Sequence, residues 1–136
     1  MFKAVASNIK KLIEVKENGL TVDSFTVEFE RLTDKQRADL LADIVAEAKS
    51  LDGSLKDVDD VTTIKTAIST SLNTSVGRIK SSLKNWSDLI GADDKPIPFS
   101  VENTGKLLEW REYRTPIEAA FIEILTGSAK DEAAKN

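Results

Sequence analysis

The sequence predicts a mainly α protein: a compact helical domain with one long central helix and a small N-terminal β-strand or hairpin element. Two patterns carry this prediction. Apolar residues recur every three or four positions from Val61 to Trp86, which is the period of an α-helix. Alternation with a period of two is clean only in the segment FTVEFE, where Phe25, Val27 and Phe29 share one side.

The length and composition fit a single soluble domain. A chain of 136 residues, 40% of them hydrophobic and 31% charged, can bury one core without disulfides. We expect one helical domain over residues 1–127, with its strand element near residues 20–31. The polar segment SAKDEAAKN at 128–136 is expected to be a flexible C-terminal tail.

The composition also excludes several classes of function. The chain has no cysteine and no histidine, which removes disulfides, thiolate metal sites, Ser-His-Asp triads and the commonest general base. The net charge of −4 argues against nucleic acid as a partner. No apolar run approaches the length of a membrane span, and the N-terminal lysines do not flank a signal-peptide core. We therefore expect a protein that stays in the cell that makes it.

The N-terminal third should hold one helix and the strand element. Ala4, Val5, Ile9, Leu12 and Ile13 have near-helical spacing, which predicts an amphipathic segment over residues 3–16 that ends at the Asn-Gly pair 18–19. The LTV segment at 20–22 is a candidate hairpin partner for FTVEFE through the Asp-Ser pair 23–24.

Two long helices are predicted next. Thr33 and Gln36 have the spacing of a capping box, and the following stripe predicts a helix over 34–51 that ends at the Asp-Gly pair 52–53. A polar connection over 54–60 leads to the period that runs from Val61 to Trp86. It predicts one long helix or two collinear helices with a break near 73–77, because burial of the stripe outweighs its Ser- and Thr-rich composition.

The C-terminal third begins with an irregular stretch. Pro96 and Pro98 disfavour a helix over 91–100, after which Ser100 is a natural N-cap for a helix that starts at residue 101. The segment TPIE at 115–118 predicts a second capping box with proline at the first helical position, followed by a helix that Gly127 ends. Its apolar face comprises Ile117, Ala120, Phe121, Ile124 and Leu125.

Candidate chemical sites are weak. The acidic residues of 52–60 lack the glycine and glutamate positions of a calcium loop, and they are better explained as a solvated loop with helix capping. Asp93 and Asp94 form a lone acidic pair without a third ligand or a histidine. We therefore predict no catalytic residue, no metal site and no cofactor, and we expect the protein not to be an enzyme.

The segment WREYR at 110–114 is a candidate for protein contact. Aromatic residues and arginine are enriched at protein interfaces, which makes Leu107, Trp110 and Tyr113 candidate interaction residues. Packing of Trp110 in the core is the other interpretation, and the sequence leaves both open.

One extended pattern resembles a known family. A helix ends in a tryptophan, and an acidic turn, a Pro-hydrophobic-Pro-Phe-Ser step, an acidic-Asn helix start and a leucine pair follow. The pattern consists of Val76, Trp86, Gly91, Asp93, Asp94, Pro96, Pro98, Phe99, Ser100, Glu102, Asn103, Leu107 and Leu108. It resembles the tail assembly chaperones of long-tailed (siphovirus-type) bacteriophages. The segment at 25–44 is similar to the N-terminal half of the same family.

This resemblance implies a non-enzymatic function in virion morphogenesis. Such a chaperone binds the tape measure protein, keeps it soluble while tail tube subunits polymerise around it, and is absent from the mature virion. It implies a location in the cytoplasm of the infected bacterial host, self-association, and contact with the tail tube protein through a longer form made by programmed frameshifting. The ending Ala-Lys-Asn is compatible with a slippery codon run.

The alternative is a permanent structural protein, such as a tail-completion or head–tail connector subunit. A helical regulator or adaptor unrelated to phage is a third interpretation.

Overall fold

The computed structural model describes residues 8–55 and 60–127. In chain order they form strands β1 (Ile9–Glu17) and β2 (Leu20–Phe29), helices α1 (Asp34–Leu55) and α2 (Val61–Ser82), strand β3 (Leu83–Ser87), and helices α3 (Val101–Leu108) and α4 (Arg111–Thr126). The strands form one antiparallel sheet in the order β1-β2-β3. The described fold is α+β, so the predicted mainly α class is wrong.

The chain divides into two compact units. The sheet unit comprises Met1–Arg31 and Ile79–Asn136, and the helical unit comprises Leu32–Arg78. All buried apolar side chains of the described residues belong to the sheet unit: Ile13, Val15, Phe25, Val27, Phe29, Ile79, Leu83, Trp86, Leu89, Leu108, Ile117, Ala120, Phe121, Ile124 and Leu125. The predicted tail at 128–136 lies outside the described residues.

The N-terminal segment forms a hairpin, so the helix predicted over 3–16 is wrong from residue 9 onward; residues 3–7 lie outside the described part. Asn18 and Gly19 have φ values of 54° and 81°, and they connect β1 to β2 with Glu17 opposite Leu20. Two positive φ angles at an Asn-Gly pair are typical of a type I′ hairpin turn. The predicted hairpin through residues 23–24 is therefore wrong, because LTV continues into FTVEF as one strand.

The alternation in β2 is confirmed, since Phe25, Val27 and Phe29 are all buried. They cover one face of the sheet, where the rings of Phe29 and Phe121 lie 5.7 Å apart between their centroids. The helix α4 supplies Phe121 and packs against this face. Its predicted apolar face is confirmed as a set, because all five members are buried.

The capping box at the start of α1 is confirmed. The Thr33 amide donates to Gln36 Oε1 at 2.8 Å, and the Gln36 amide donates to Thr33 Oγ1 at 3.2 Å. The predicted end at residue 51 is wrong, since α1 continues to Leu55. Gly53 does not take the positive φ of a C-cap glycine, so it is an ordinary helical residue here.

The predicted long helix is correct from Val61 to Ser82 and wrong after that. Residues Leu83–Ser87 are β3, so Trp86 lies in a strand and not at a helix end. Leu83 pairs with Phe29 and Asn85 with Glu28, which leaves Lys84 as the extra residue of a β-bulge. The bulge lets Leu83 and Trp86, three residues apart, both face the core. No break occurs at 73–77.

The C-terminal helices start at one predicted and one unpredicted residue. Ser100 is the N-cap of α3, and its Oγ accepts from the Asn103 amide at 3.0 Å, as expected. The capping box predicted at 115–118 is wrong, because α4 begins at Arg111 and Pro116 lies inside it. Gly127 closes α4 with φ 61°, which confirms the predicted helix end.

Candidate protein-interaction surface

The described residues contain little that resembles a chemical site. Within 8–55 and 60–127, no group of three or more His, Cys, Asp or Glu side chains could hold a metal ion. The described helices also include none that is long and apolar enough to cross a membrane.

Trp86 and its contact residues hold three consecutive segments of the sheet unit together. The indole Nε1 donates to the Ile97 carbonyl at 2.7 Å, and the Phe99 ring meets the indole edge-on with centroids 5.0 Å apart. Asn103 Nδ2 donates to the Pro98 carbonyl at 2.8 Å. These contacts connect β3, the proline step and the start of α3.

The acidic turn between them is closed by its own backbone. The Gly91 amide donates to the Lys95 carbonyl at 2.9 Å, and Asp93 Oδ1 accepts from the Lys95 amide at 3.1 Å. Asp94 has a φ of 60°, and Pro96 pairs with Ile90 in an isolated bridge. The Asp93 carboxylate thus helps to close the turn, and this segment has a structural role in the fold.

Tyr113 is half-buried and holds α4 against β2. Its hydroxyl donates to Asp23 Oδ2 at 2.8 Å, and its ring lies 6.0 Å from the Phe25 ring, centroid to centroid. Burial, followed by the hydrogen bond to Asp23 and the charge of that carboxylate, raises the pKa of Tyr113 to about 12. The structure assigns this side chain a packing contact.

Trp110 lies outside the core and is 63% exposed. It is the N-cap residue of α4, and its carbonyl accepts from the amides of Tyr113 and Arg114 at 3.1 and 2.9 Å. Leu107 is half-buried one turn earlier. Trp110 is thus a large aromatic side chain exposed between two helices. Tryptophan is among the residue types that often contribute most of the binding energy at protein interfaces.

The helical unit holds a larger apolar surface. None of its described side chains is buried, although α1 and the first part of α2 carry many apolar residues. Val45 is 51% exposed, Ile68 is 49% exposed and Val61 is 67% exposed. Two helices alone cannot enclose a core, because each covers only one stripe of the other.

The two helices share a groove of mixed polarity. Arg78 forms an ion pair with Glu47, and both helices line a groove of about 240 Å³. Its walls include Ser50 of α1 with Thr70 and Thr74 of α2. The groove is lined by hydroxyl-bearing side chains together with Leu51 and Ala67.

Other apolar residues lie away from this groove. At about 100° per residue, Val45 lies far around α1 from Ser50, and Ile68 and Leu72 lie far around α2 from Thr70. Leu41 and Val45, four residues apart, share one side of α1, and Ile68 and Leu72 share one side of α2. We call these two stripes, Leu41 with Val45 and Ile68 with Leu72, the apolar face.

The sequence shows these apolar residues but not their exposure. Burial is predicted for the stripe from Val61 to Trp86, yet only its last members, from Ile79 onward, are buried. The informative signal is the number of helices. Two amphipathic helices with no third helix beside them in sequence cannot cover all of their apolar side chains, so part of that apolar surface stays exposed to solvent.

No protein-family model, curated protein or solved structure matches this chain. The family resemblance therefore rests on the residues quoted above, and the surfaces are assessed from their geometry.

Proposed function

We propose that this chain is a tail assembly chaperone of a long-tailed bacteriophage, which binds the tape measure protein and keeps it soluble. The observation that carries the proposal is the exposed apolar face of the helical unit. The motif from Trp86 to Leu108 supports the choice of family. The chaperone acts in the cytoplasm of the infected bacterial host, is absent from the mature virion, and needs no cofactor and no catalytic group.

The apolar face suits a helical client. An amphipathic helix can lay its apolar stripe against either stripe of this face, and the client's side chains then interleave with those of the helix it contacts. Complete burial of one large aliphatic side chain is worth about 1.5–3 kcal/mol. Because Val45, Ile68 and Leu72 are already partly covered, each contributes less than this.

Modest affinity per copy is consistent with coating a long client. Many copies bound side by side raise the effective concentration of each next copy, so weak contacts add up to stable coverage. Self-association is part of the proposal for this reason. Contact with the tail tube protein through a longer frameshifted form is part of it too.

Co-expression with the tape measure protein tests the proposal. We expect the client to remain in the supernatant with the wild-type chain and to precipitate with the double variant Ile68→Ser/Leu72→Ser. The matched control is Leu20→Ser/Val101→Ser, which removes two exposed apolar residues from the sheet unit and should leave the client soluble. Circular dichroism of each purified variant checks that the helices remain.

Two results would contradict the proposal. If the client precipitates to the same extent with and without the wild-type chain, the chaperone function fails. If the chain is found at fixed copy number in purified virions, the permanent structural role is the better explanation.

A further inference from the structure

The free edge of β1 shows a pattern that suits a second copy of this chain. In the described part of the chain, β1 pairs only with β2, so no described strand lies along its other edge. Edge strands of this kind pair readily with another strand. The outer face of β1 carries Lys10, Leu12 and Glu14, all exposed, and Leu12 is 63% exposed.

The charges on this face complement themselves. Lys10 and Glu14 lie at equal distances on either side of Leu12. An antiparallel pair of β1 strands with a two-fold axis at Leu12 places Lys10 of each copy opposite Glu14 of the other. It also places the two Leu12 side chains opposite each other. Opposite charges and apolar pairs directly across two strands stabilise a sheet.

Neighbouring registers lack this match. A shift of two residues in one direction puts Lys10 opposite Lys16 and Leu12 opposite Glu14. A shift in the other direction puts Lys10 opposite Leu12, and Glu14 opposite Asn8. A shift of one residue brings outer-face residues opposite inner-face residues. The charges thus select one register out of those available.

The surroundings of the edge are compatible with a further strand. Lys10 and Glu14 form no ion pair with any residue in 8–55 or 60–127, so both remain available. Helix α4 packs against the face of the sheet opposite Leu12: Phe121 and Tyr113 contact rings of β2, and Glu123 pairs with Lys11 of β1. Between β1 and α4 lies an open groove of about 470 Å³, lined in part by Glu14, Lys16 and Thr115.

We propose that two copies of this chain associate through antiparallel pairing of their β1 strands, with the two-fold axis at Leu12, to form a continuous six-stranded sheet. This inference rests on the proposed function, which includes self-association, and it assigns that self-association to a specific interface. Its test needs only the purified chain, so its outcome is separate from that of the client assay.

Cysteine cross-linking tests the register directly, because the natural chain has no cysteine. Opposed residues in an antiparallel pair have Cα atoms about 4.5–5.5 Å apart, within the range that a disulfide bridges. We expect Leu12→Cys to form a covalent dimer under mild oxidation about ten times faster than Leu20→Cys, a control on the same hairpin at a residue that is somewhat more exposed. A mixture of Lys10→Cys and Glu14→Cys chains should cross-link to each other faster than either does to itself.

Charge exchange tests the same interface without cross-linking. Lys10→Glu and Glu14→Lys each turn both attractive pairs into repulsive ones and should raise the dimer dissociation constant about tenfold in sedimentation experiments. The double variant Lys10→Glu/Glu14→Lys should restore it. Lys65→Glu on α2 is the control for net charge. Lys10 also faces Glu28 within the chain, so thermal unfolding of each variant separates folding from association.

The proposal is overturned if the wild-type chain sediments as a monomer at every concentration. It is also overturned if a dimer forms but Leu12→Cys cross-links no faster than Leu20→Cys, or if the double variant fails to recover association while it folds normally. In the last two cases the copies meet through a different surface.

Discussion

At the scale of single residues, Tyr113 connects the C-terminal helix to the sheet through one hydrogen bond and one ring contact. Its partner Asp23 lies beside the bulge in β2, where Val15 pairs with Asp23 and Lys16 with Thr21, so that Val22 is the extra residue. A bulge changes the direction of nearby side chains. The contact therefore depends on a local irregularity that the spacing of apolar residues does not reveal.

Replacement of Tyr113 by phenylalanine should lower the free energy of unfolding by about 1 kcal/mol at neutral pH, because Asp23 loses its donor. In the wild type the folded state holds the Tyr113 proton more tightly, with a pKa near 12 against 10.0 for the free side chain. This stability is complete below pH 10 and is lost as the pH rises towards 12. Urea unfolding at several pH values measures both effects, and an equal alkaline loss in Tyr113→Phe would contradict the assignment.

Trp110 should behave differently, because its side chain is mostly in solvent. We expect Trp110→Ala to change the free energy of unfolding by less than about 0.5 kcal/mol. The same change should weaken binding of a tape measure fragment about tenfold, as loss of an exposed aromatic anchor does at many interfaces. Val101→Ala, at a residue that is 79% exposed, is the matched control. Calorimetric titration that shows equal affinity for both variants would remove Trp110 from the interaction residues.

At the scale of elements, local capping signals were correct at some helix ends and wrong at others, since the box predicted at 115–118 lies inside α4. The caps at Thr33 and Ser100 form as expected, since each depends on residues within one turn. The strand β3 could not be predicted in this way. Its apolar spacing of three residues has the period of a helix, and only the bulge at Lys84 and the pairing with β2 make it a strand.

The first hairpin was predictable in part. The Asn-Gly pair at 18–19 is a strong hairpin signal, but Ile9, Leu12 and Ile13 also match a helix. Because Leu12 is exposed and Ile13 and Val15 are buried, the true period is two. The candidate site was also predictable only in part. Its apolar residues are recognisable in the sequence from their helical spacing. Their exposure could not be predicted, because it depends on how many helices share a core.

Two glycines of the fold should respond oppositely to alanine. Gly19 has a φ of 81°, so Gly19→Ala should destabilise the hairpin by about 1 kcal/mol. Gly77 lies within α2, where an added Cβ would meet nothing within 4 Å, so Gly77→Ala should stabilise that helix by about 0.5–1 kcal/mol. Thermal unfolding of the two variants compares them, and a loss of stability in both would contradict the ordinary helical geometry of Gly77.

At the scale of the whole molecule, burial is unevenly distributed between the units. The described core residues all belong to the sheet unit, while the helical unit exposes the apolar face proposed for the client. A net charge of −4 helps to keep such a surface in solution. Local stability should follow the same division, because few buried contacts allow easier opening.

Hydrogen exchange should reveal this difference. We expect the amides of α1 and of α2 up to residue 78 to exchange at least about tenfold faster than those of Phe25, Val27 and Phe29 in β2. A bound tape measure fragment should slow exchange in the helical unit more than in β2. Uniform protection across both units in the free chain would contradict the prediction.

The backbone hydrogen bond from the Glu30 amide to the Ser82 carbonyl, 2.8 Å long, joins the two chain segments that enter and leave the helical unit. This geometry makes the helical unit an insertion whose two ends are held together by its host. The entropy of closing a loop grows only slowly with its length, so the host should accept a short Gly-Ser linker in place of residues 33–78. We expect the shortened chain to keep the fluorescence of buried Trp86 and a cooperative unfolding transition, which would show that the sheet unit folds without the helical unit.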